Sequence, residues 1–597
     1  MTRVNLFLFC VLSGLSQSAQ TWAQDMGDEL RNGFIRRFYH GSFIIGNGLY
    51  IDGGEYVVKI GDKNQQAVLN QTIAIDLSQS FSTNASSNGG DIAMTFIDKG
   101  QCPNFNDVVF WEDPSNGVAY AFGGGLSLAP SAVGGSPPSE ALWKFTQDSG
   151  SLGGSWNQVF SSSNMGWQNV RRSTNGLSGS GASGGFFLGG LYNNLSSPEA
   201  QSDLDFPSQG MEIFNYSTQS LSYLPAYNYS STGTGVAGGL AYVPTWGSAG
   251  LVVALGGQVA IDENAWDGGS YRSLGNISVF DPASGSWYAQ MASGDIPSNR
   301  SKFCTVGARG GDNSTYEIFV YGGRYGPDPL GQNPDSDLIA VNKMLDEVYV
   351  LSIPAFQWFK ANYTSEDLRM RHNCHAIGRQ MISVGGFNQA HPAIDNALPI
   401  YENSTYWLAI NDKDKYAQGI KVFDLTSLQW ADQWVHTTPS YDLPTVVQQF
   451  YSNRKSKYPD SWSDSKLQSI FEKTSTKTST SPSPSPSGKG KDSGSHDHAG
   501  LIAGCIVGGV LILALIVAIT WCISGRRTPT GQGFFRTSDA VGISRHVAYN
   551  HGGQPSTELE GLDRTIHEVD VPPAELGSKV ELRHELPRTE LPRELPG

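Results

Sequence analysis

Ile318-Phe319-Val320-Tyr321-Gly322-Gly323 is a short β-type run of apolar residues that ends in a glycine doublet. The same arrangement occurs six times along the 597-residue chain, with doublets at Gly53-Gly54, Gly123-Gly124, Gly189-Gly190, Gly256-Gly257, Gly322-Gly323 and Gly385-Gly386. Successive doublets lie between 63 residues (Gly322 to Gly385) and 70 residues (Gly53 to Gly123) apart. A fixed period of this size indicates one repeated supersecondary unit, and units built only from strands close into a ring.

A second apolar run follows each doublet after a loop of variable length. In the last three repeats this run is Val279-Phe280-Asp281, Val350-Leu351-Ser352 or Val422-Phe423-Asp424. Six residues after each of these runs comes a tryptophan: Trp287, Trp358 and Trp430. The runs are β-branched and aromatic, which is typical of buried strands. A large aromatic side chain is able to fill the wedge between neighbouring sheets, and we expect these tryptophans to do so.

The combination of strand, doublet, second strand and spaced aromatic resembles the Kelch-repeat β-propellers. It is specific in the last three repeats and degenerate in the first three. The resemblance implies an all-β ectodomain at residues 24–455, folded as one six-bladed Kelch-type β-propeller, and we expect Tyr441 to Asn453 to complete the ring with the N-terminal repeat. The whole layout is also similar to single-pass Kelch membrane proteins of filamentous fungi, a likeness that constrains architecture more than function.

The two ends of the chain carry targeting signals. Residues 1–23 combine a basic Arg3, an apolar stretch and small residues before a cleavage point, which indicates a secretory signal peptide. Residues 500–523 are uncharged and apolar over a length that spans a bilayer as a single helix. Arg526 and Arg527 follow at once and predict a cytoplasmic C-terminus. We therefore expect a single-pass type I protein of the plasma membrane with an extracellular propeller and a disordered cytoplasmic tail at 524–597.

Two further features agree with an extracellular propeller. Residues 456–499 are rich in Ser, Thr and Pro, a composition that predicts an extended stalk between propeller and membrane. Ten Asn-x-Ser/Thr sequons predict N-glycosylation, and all precede the membrane segment: Asn70, Asn84, Asn194, Asn215, Asn228, Asn276, Asn299, Asn313, Asn362 and Asn403. This one-sided distribution favours secretion of the part before residue 500.

Two remaining features concern partners. Gly500, Gly504 and Gly508 recur at every fourth position and form one smooth helix face, which favours a homodimer through the membrane helix, with an unpaired anchor as the alternative. The formal net charge of −15 and the expected secretion argue against nucleic acid as a partner.

Three cysteines belong to the predicted propeller: Cys102, Cys304 and Cys374. Cys304 and Cys374 occupy similar places in successive repeats, each before its doublet strand, and equivalent strands of adjacent blades are neighbours. We therefore expect a Cys304–Cys374 disulfide in the oxidising compartment, with Cys102 as the odd thiol.

The spacing of two histidines around a cysteine suggests a metal site, but strand geometry argues against it. His372 and His375 frame Cys374, but in a period-2 strand the two would face opposite sides, so we expect neither a metal nor another cofactor. Galactose-oxidase-like copper radical oxidases also carry Kelch propellers, and they need two Tyr, two His and a Cys cross-linked to one Tyr. No histidine of the chain matches that motif, and no hydrolase or zinc-protease motif is present. We therefore assign no catalytic residue and lean against an enzyme.

The sequence favours a binding protein whose propeller takes an extracellular protein or glycan. The alternatives are a copper radical oxidase and a cell-wall or adhesion spacer without a discrete ligand. The longest connections of the well-defined repeats follow the fifth and sixth doublets, and long loops in a compact repeat are often functional. The latter connection contains Tyr401, Tyr406 and Trp407, aromatics suited to stacking on a sugar or anchoring a partner, although a glycan on Asn403 would shield part of that surface.

Overall fold

The structure is a computed structural model that describes residues 27, 29–85, 92–127, 129, 137, 142–160, 170–266, 268–325, 345–363, 367–387 and 410–477. The predicted signal peptide, the membrane segment with Gly500, Gly504 and Gly508, and the cytoplasmic tail lie outside these residues. Among the described helices, none has the length and apolar character needed to span a membrane.

Six antiparallel sheets of four consecutive strands follow one another along the described chain. We number them 1 to 6 and count the strands of each in chain order. Sheet 1 contains Gly41–Ile45, Gly48–Asp52, Gln71–Asp76 and Met94–Asp98. Sheet 2 contains Val109–Asp113, Val118–Phe122, Leu142–Gln147 and Gly154–Phe160. Sheet 3 contains Leu177–Ser180, Gly184–Leu188, Met211–Asn215 and Ser220–Leu224.

The second half of the sheet-forming region repeats this pattern. Sheet 4 contains Gly239–Val243, Leu251–Leu255, Asn276–Asp281 and Ser286–Met291. Sheet 5 contains Cys304–Arg309, Tyr316–Tyr321, Val348–Ile353 and Gln357–Lys360, with Ser293–Gly294 added in parallel at its edge. Sheet 6 contains Asn373–Ile377, Gln380–Val384, Ile420–Asp424 and Gln429–Ala431.

Smaller elements surround the sheets. A three-stranded sheet is formed by Phe34–Phe38, Glu55–Ile60 and Lys63–Ala67. Two-residue strands pair as Leu191–Tyr192 with Phe206–Pro207, Gln258–Val259 with Ser270–Tyr271, Arg300–Ser301 with Arg324–Tyr325, and Gln433–Trp434 with Phe81–Ser82. Ala417–Gly419 form a 3-10 turn, and the helices are Thr445–Ser452 and Ser465–Lys477.

Apolar packing links each sheet to the next. Six buried clusters each combine residues of two neighbouring sheets: 1 with 2, 2 with 3, 3 with 4, 4 with 5, 5 with 6, and 6 with 1. The last cluster packs Ile382 and Val422 of sheet 6 against Leu49 and Ile73 of sheet 1. Because both faces of each sheet are covered, the second strands read as nearly continuous apolar runs in the sequence.

The glycine doublets make the same backbone contact in all six repeats. The second glycine of each doublet donates its N–H to a carbonyl just before the next sheet: Gly54 to Phe105, Gly124 to Ser173, Gly190 to Gly235, Gly257 to Arg300, Gly323 to Arg369 and Gly386 to Arg37, at 2.8 to 3.0 Å. All twelve doublet glycines have positive φ. A Cβ on Gly53 would lie 2.3 Å from the carbonyl oxygen of Phe105, so a side chain there is excluded by both space and conformation.

The predicted tryptophans lie between neighbouring sheets. The ring of Trp287 packs on Tyr229, which follows sheet 3, at 5.2 Å between centroids. Trp358 of sheet 5 donates its indole N–H to the Leu274 carbonyl at 2.9 Å. Trp430 of sheet 6 makes an edge contact with Tyr321 of sheet 5 at 4.8 Å. These aromatics therefore tie their own sheet to the preceding one.

The segment expected to complete the ring is a different one. Residues 445–452, inside the predicted Tyr441 to Asn453 stretch, form a helix on the outside of sheets 5 and 6, because Val447, Phe450 and Tyr451 recur at helical spacing. The contact between the last repeat and the first is instead made by Gln433–Trp434, which pairs with Phe81–Ser82. The prediction for Tyr441 to Asn453 was wrong.

The boundary between propeller and stalk at residues 455 and 456 was also placed too early. Leu467 and Phe471 of the second helix are fully buried against sheets 4 and 5. The Phe471 ring lies 4.9 Å from that of Trp246 and 5.7 Å from that of Phe356. The packed part of the chain therefore continues beyond residue 455, since this helix keeps an apolar stripe before the Ser/Thr/Pro-rich composition begins.

Candidate functional site: the mouth ring

Six residues with left-handed backbone conformation stand just before the first strands of the six sheets. We call this set the mouth ring: Tyr39, Asp107, Asn175, Ala237, Lys302 and Arg371, with φ between 53° and 59°. Each lies two residues after the carbonyl that accepts the doublet N–H bond. A non-glycine residue in this conformation costs roughly 1 to 2 kcal/mol, and such residues cluster at functional sites.

The ring is continuous through its backbone over most of its circumference. The N–H of Asp107 donates to the Tyr39 carbonyl at 2.7 Å, and Arg371 donates in the same way to Lys302 at 3.0 Å. Ala237 donates to Asn175 at 2.6 Å and accepts from Lys302 at 2.7 Å. Residues that are more than 330 positions apart in sequence thus belong to one ring.

Arg371 joins the opposite parts of the ring through its side chain. Its Nη1 donates to both carboxylate oxygens of Asp107, at 2.9 and 3.1 Å, and to Asn175 Oδ1 at 3.1 Å. Its guanidinium lies over the Tyr39 ring at 4.6 Å. A residue before sheet 6 therefore contacts residues before sheets 1, 2 and 3, which places all four side chains at the centre of the repeats. The Arg371 and Asp107 side chains remain 16% and 22% exposed, so the site is reachable from solvent.

The ring defines one face of the molecule. In every sheet the first strand begins beside the end of the second, as in the Gly41–Asp52 and Asn373–Val384 pairs. Connections from second to third strand therefore emerge on the same side as the mouth ring, and we call this side the ring face. The opposite face carries the turns between first and second strands.

A loop of sheet 3 contributes to the site. Asp205, in the connection between Tyr192 and Met211, accepts a hydrogen bond from Asn193 Nδ2 at 2.9 Å. Burial raises the pKa of Asp205, the Asn193 hydrogen bond and Arg371 lower it, and Asp107 raises it further. The carboxyl of Asp205 is thus electrostatically coupled to the Arg371–Asp107 pair.

The two long connections predicted to carry the site start at this ring. Phe387, after the sixth doublet, packs its ring against Tyr39 at 6.2 Å. Tyr325, after the fifth doublet, pairs with Arg300, two residues before Lys302. Tyr401, Tyr406 and Trp407, together with Asn403, lie outside the described residues, so their role as ligand contacts stays a prediction.

A buried charge network fixes the sixth connection where it returns to the sheet. Arg369 Nη2 forms an ion pair with Asp414 at 2.7 Å and Arg369 Nε one with Asp367 at 2.7 Å. Arg369 Nη1 also donates to the Gly385 carbonyl at 2.7 Å. Arg300 occupies the equivalent position before sheet 5 and pairs with Glu347 at 3.0 Å. These arginines hold the connection ends in place beside the ring.

The mouth ring was missed by sequence reasoning. A signal does exist, since Arg37-Phe38-Tyr39, Arg300-Ser301-Lys302 and Arg369-Met370-Arg371 share an arginine two positions before the ring residue. In sheets 2, 3 and 4 the equivalent positions hold Phe105, Ser173 and Gly235, which obscures the repeat.

Cys304 and Cys374 are joined as a disulfide, with 5.7 Å between their Cα atoms. It connects the first strands of sheets 5 and 6, as their equivalent places in the repeat predict. His372 brings a ring nitrogen within 4.8 Å of both sulfurs, but sulfurs bonded to each other are not thiolate ligands. Cys102 is buried, and burial raises the pKa of its thiol to about 12.

His372 and His375 point to different sides of sheet 6. His372 packs on Tyr321 of sheet 5 at 4.8 Å, and His375 Nε2 is 2.7 Å from Ser42 Oγ of sheet 1. Burial lowers the pKa of His372 to about 3 and that of His375 to about 4, so both are neutral at neutral pH. The opposite orientation inferred from strand spacing is what the structure shows.

The sequon asparagines lie mostly at the surface. Eight are exposed: Asn70, Asn84, Asn194, Asn215, Asn228, Asn276, Asn313 and Asn362. Asn299 is half-buried, and Asn403 lies outside the described residues. Their glycosylation stays a prediction.

Six four-stranded sheets with strand-terminal glycine doublets, linked side by side, support a Kelch-repeat β-propeller fold. A Kelch repeat-containing protein of Arthroderma benhamiae is 28% identical to this protein over 211 residues, which cover 34% of this chain and 25% of that relative. The match thus spans a quarter of the relative's length.

The comparisons with solved structures and with family models give weaker support. The solved structure of YjhT aligns over 60% of this chain and 92% of its own length, with a TM-score of 0.38 and 12% identity. No family model matches the chain.

Proposed function

We propose that this protein is a cell-surface binding protein, in which six blades close into one ring and the mouth ring takes an extracellular glycan or protein without chemistry or a cofactor. Two cyclic sets of contacts support the six-bladed closure. One is the series of six doublet hydrogen bonds, which returns from Gly386 to Arg37. The other is the series of six inter-sheet clusters, which returns from sheet 6 to sheet 1.

The observation that carries the proposed function is the convergence of Arg371, Asp107, Asn175 and Tyr39 from four repeats at one solvent-reachable opening. Positioned cationic, anionic, amide and aromatic groups offer the hydrogen bonds and the stacking face that sugars and protein side chains use. The backbone is left-handed at each ring position, and strained residues of this kind cluster at functional sites. A rigid scaffold with polar groups around its mouth is the usual place for a propeller ligand.

Arg371→Ala tests this function directly. The full chain would be incubated with labelled wall polysaccharides and with surface proteins, and retained material measured. We expect Arg371→Ala to lose capture by at least about tenfold, since a charge-assisted contact contributes roughly 1.5 to 3 kcal/mol.

Arg309→Ala is the matched control. Arg309 is an exposed arginine at the far end of the first strand of sheet 5, on the opposite face. It changes the net charge equally and should leave capture unchanged. Equal capture by wild type and Arg371→Ala would refute the mouth as the ligand site, and copper bound to the purified protein would favour an oxidase instead.

We propose a single-pass type I topology with the six sheets outside the cell. The exposed position of eight sequon asparagines agrees with this topology. Antibody labelling of an epitope inserted beside Asn264, on the ring face, should succeed on intact cells, and labelling only after permeabilisation would refute the topology.

A further inference from the structure

Two apolar side chains stand out on the ring face, away from the mouth. Leu204 is 68% exposed and Ile261 is 66% exposed, the highest values among the large apolar residues that the structure describes as exposed. They lie in the connections from second to third strand of sheets 3 and 4. Isolated exposed apolar residues are ordinary, but adjacent ones within a polar border mark interaction sites.

The two connections form one ordered surface. The Trp266 N–H donates to the Asp205 carbonyl at 3.3 Å, which joins the loops one residue from Leu204. Ile261 precedes a tight turn closed by a bridge between Asp262 and Ala265. Each loop also returns on itself through a two-residue strand pair. The exposure of Leu204 and Ile261 is therefore built into folded loops.

The border of this surface is acidic. Residues 193–206 and 259–266 contain Glu199, Asp203, Asp205, Asp262 and Glu263, and no Lys or Arg. Four of these carboxylates are exposed, and Asp205 is half-buried. We call the surface formed by these two ranges the acidic rim.

The chemistry of the acidic rim indicates which class of partner would bind there. Leu204 and Ile261 are aliphatic and give sugars no flat ring face, and the rings of Phe206 and Trp266 in the same ranges are half-buried. An anionic lipid surface would be repelled by the carboxylates. A second copy of this chain would present the same carboxylates, and the net charge of −15 opposes that contact as well. An apolar side chain flanked by Lys or Arg satisfies both the apolar centre and the acidic border.

We propose that the acidic rim is a docking surface for a basic partner protein, which inserts an apolar side chain between Leu204 and Ile261 and places its cations against the surrounding carboxylates. The interaction uses the four exposed carboxylates of the rim and not the half-buried Asp205, which is coupled to Arg371 at the mouth. The same face thus carries two independent sites.

The probe is a fluorescent octapeptide with two central leucines between three lysines on each side, measured by anisotropy against the full chain in nanodiscs of zwitterionic lipid. Leu204→Ser with Ile261→Ser should weaken binding at least about tenfold, because the apolar contact is lost. Asp203→Lys with Glu263→Lys should weaken it as much and flatten its salt dependence. A peptide with serines in place of both leucines should bind wild type no better than the double serine variant binds the original peptide.

Matched controls lie elsewhere on the surface. Val446→Ser removes a 40% exposed apolar residue from the first helix, and Asp62→Lys reverses an exposed charge beside the three-stranded sheet. Both should leave binding unchanged. Equal loss in the controls, or undiminished binding in either rim variant, would overturn the proposal.

The predicted N-glycosylation of Asn194 requires one further measurement. Asn194 begins a sequon within the acidic rim, so binding is measured before and after enzymatic removal of N-glycans. Binding in both states supports the site in the native protein, and binding only after removal overturns it. Arg371→Ala should bind the peptide like wild type, so failure of the rim and failure of the mouth are separate results.

Discussion

The ring face and the opposite face of this propeller are stabilised by different kinds of interaction. At the ring face, half-buried polar residues with left-handed backbone meet around an opening, and ion pairs such as Arg369–Asp414 fix the connection ends. At the opposite face, the C-terminal segment lies on the sheets through apolar residues such as Phe471. The difference separates two tasks: backbone strain and charge are concentrated where we propose that a ligand binds, and apolar burial stabilises the other side.

Removal of the disulfide should have the largest effect on the free energy of unfolding. The disulfide lies at the ring-face ends of sheets 5 and 6. Cys304→Ser should lower the free energy of unfolding by about 4 kcal/mol, because a 70-residue separation loses its covalent constraint on the unfolded chain. Chemical denaturation of the oxidised protein measures this. A reducing agent should cause a similar loss in wild type and little further loss in the variant.

At the opposite face, Phe471→Ala should cost about 3 kcal/mol, since a fully buried ring between Trp246, Phe356 and Trp462 is replaced by a cavity. Lys466→Ala on the exposed side of the same helix is the control, with little change. Ligand capture at the mouth should survive in both. A loss of capture with Phe471→Ala at a temperature where the protein is folded would contradict the separation of the two faces.

The free energy of unfolding should also depend on pH through Glu317, which lies near the opposite face. Burial raises the pKa of this carboxyl to about 8, while Ser352 Oγ donates to it at 2.8 Å and the Tyr441 hydroxyl at 3.3 Å. Because the folded pKa is raised, the stabilising contribution is present at acidic pH and is lost as pH rises toward 8.

Glu317→Gln isolates this effect. Its free energy of unfolding should fall less between pH 5 and 8 than that of wild type, with slopes that differ by up to about 1.4 kcal/mol per pH unit. Denaturant titrations at several pH values measure the slopes. Parallel curves for the two proteins would show that Glu317 ionises normally in the folded state.

The smallest expected effect probes ring strain. Ala237 has φ of 53° and contributes no polar side chain, so Ala237→Gly should be neutral or stabilise the protein by up to about 1 kcal/mol. Ala241→Gly, in the first strand of sheet 4, should destabilise by about 1 kcal/mol, because glycine weakens a regular strand. Equal destabilisation by both would mean that the ring position carries no strain.

Much of the fold could be predicted because its determinants are local. The doublets require positive φ at fixed intervals, and the runs before them carry the β-type composition of strands buried on both faces. The spaced tryptophans and the equivalent places of Cys304 and Cys374 follow from the same period. The helix at Thr445–Ser452 was missed because an eight-residue apolar pattern was given a role in ring closure that the shorter Gln433–Trp434 segment performs.

The sequence by itself determined the repeat, the doublet strands and the strands that follow them, since these depend on neighbours along the chain. Only the tertiary structure decided that Tyr39, Asp107, Asn175 and Arg371 share one mouth, and that Leu204 and Ile261 share one rim. These groups come from different repeats and differ in residue type, so their meeting cannot be recognised from residue identity. Their meeting depends on how the sheets pack side by side, a long-range property that local propensity does not encode.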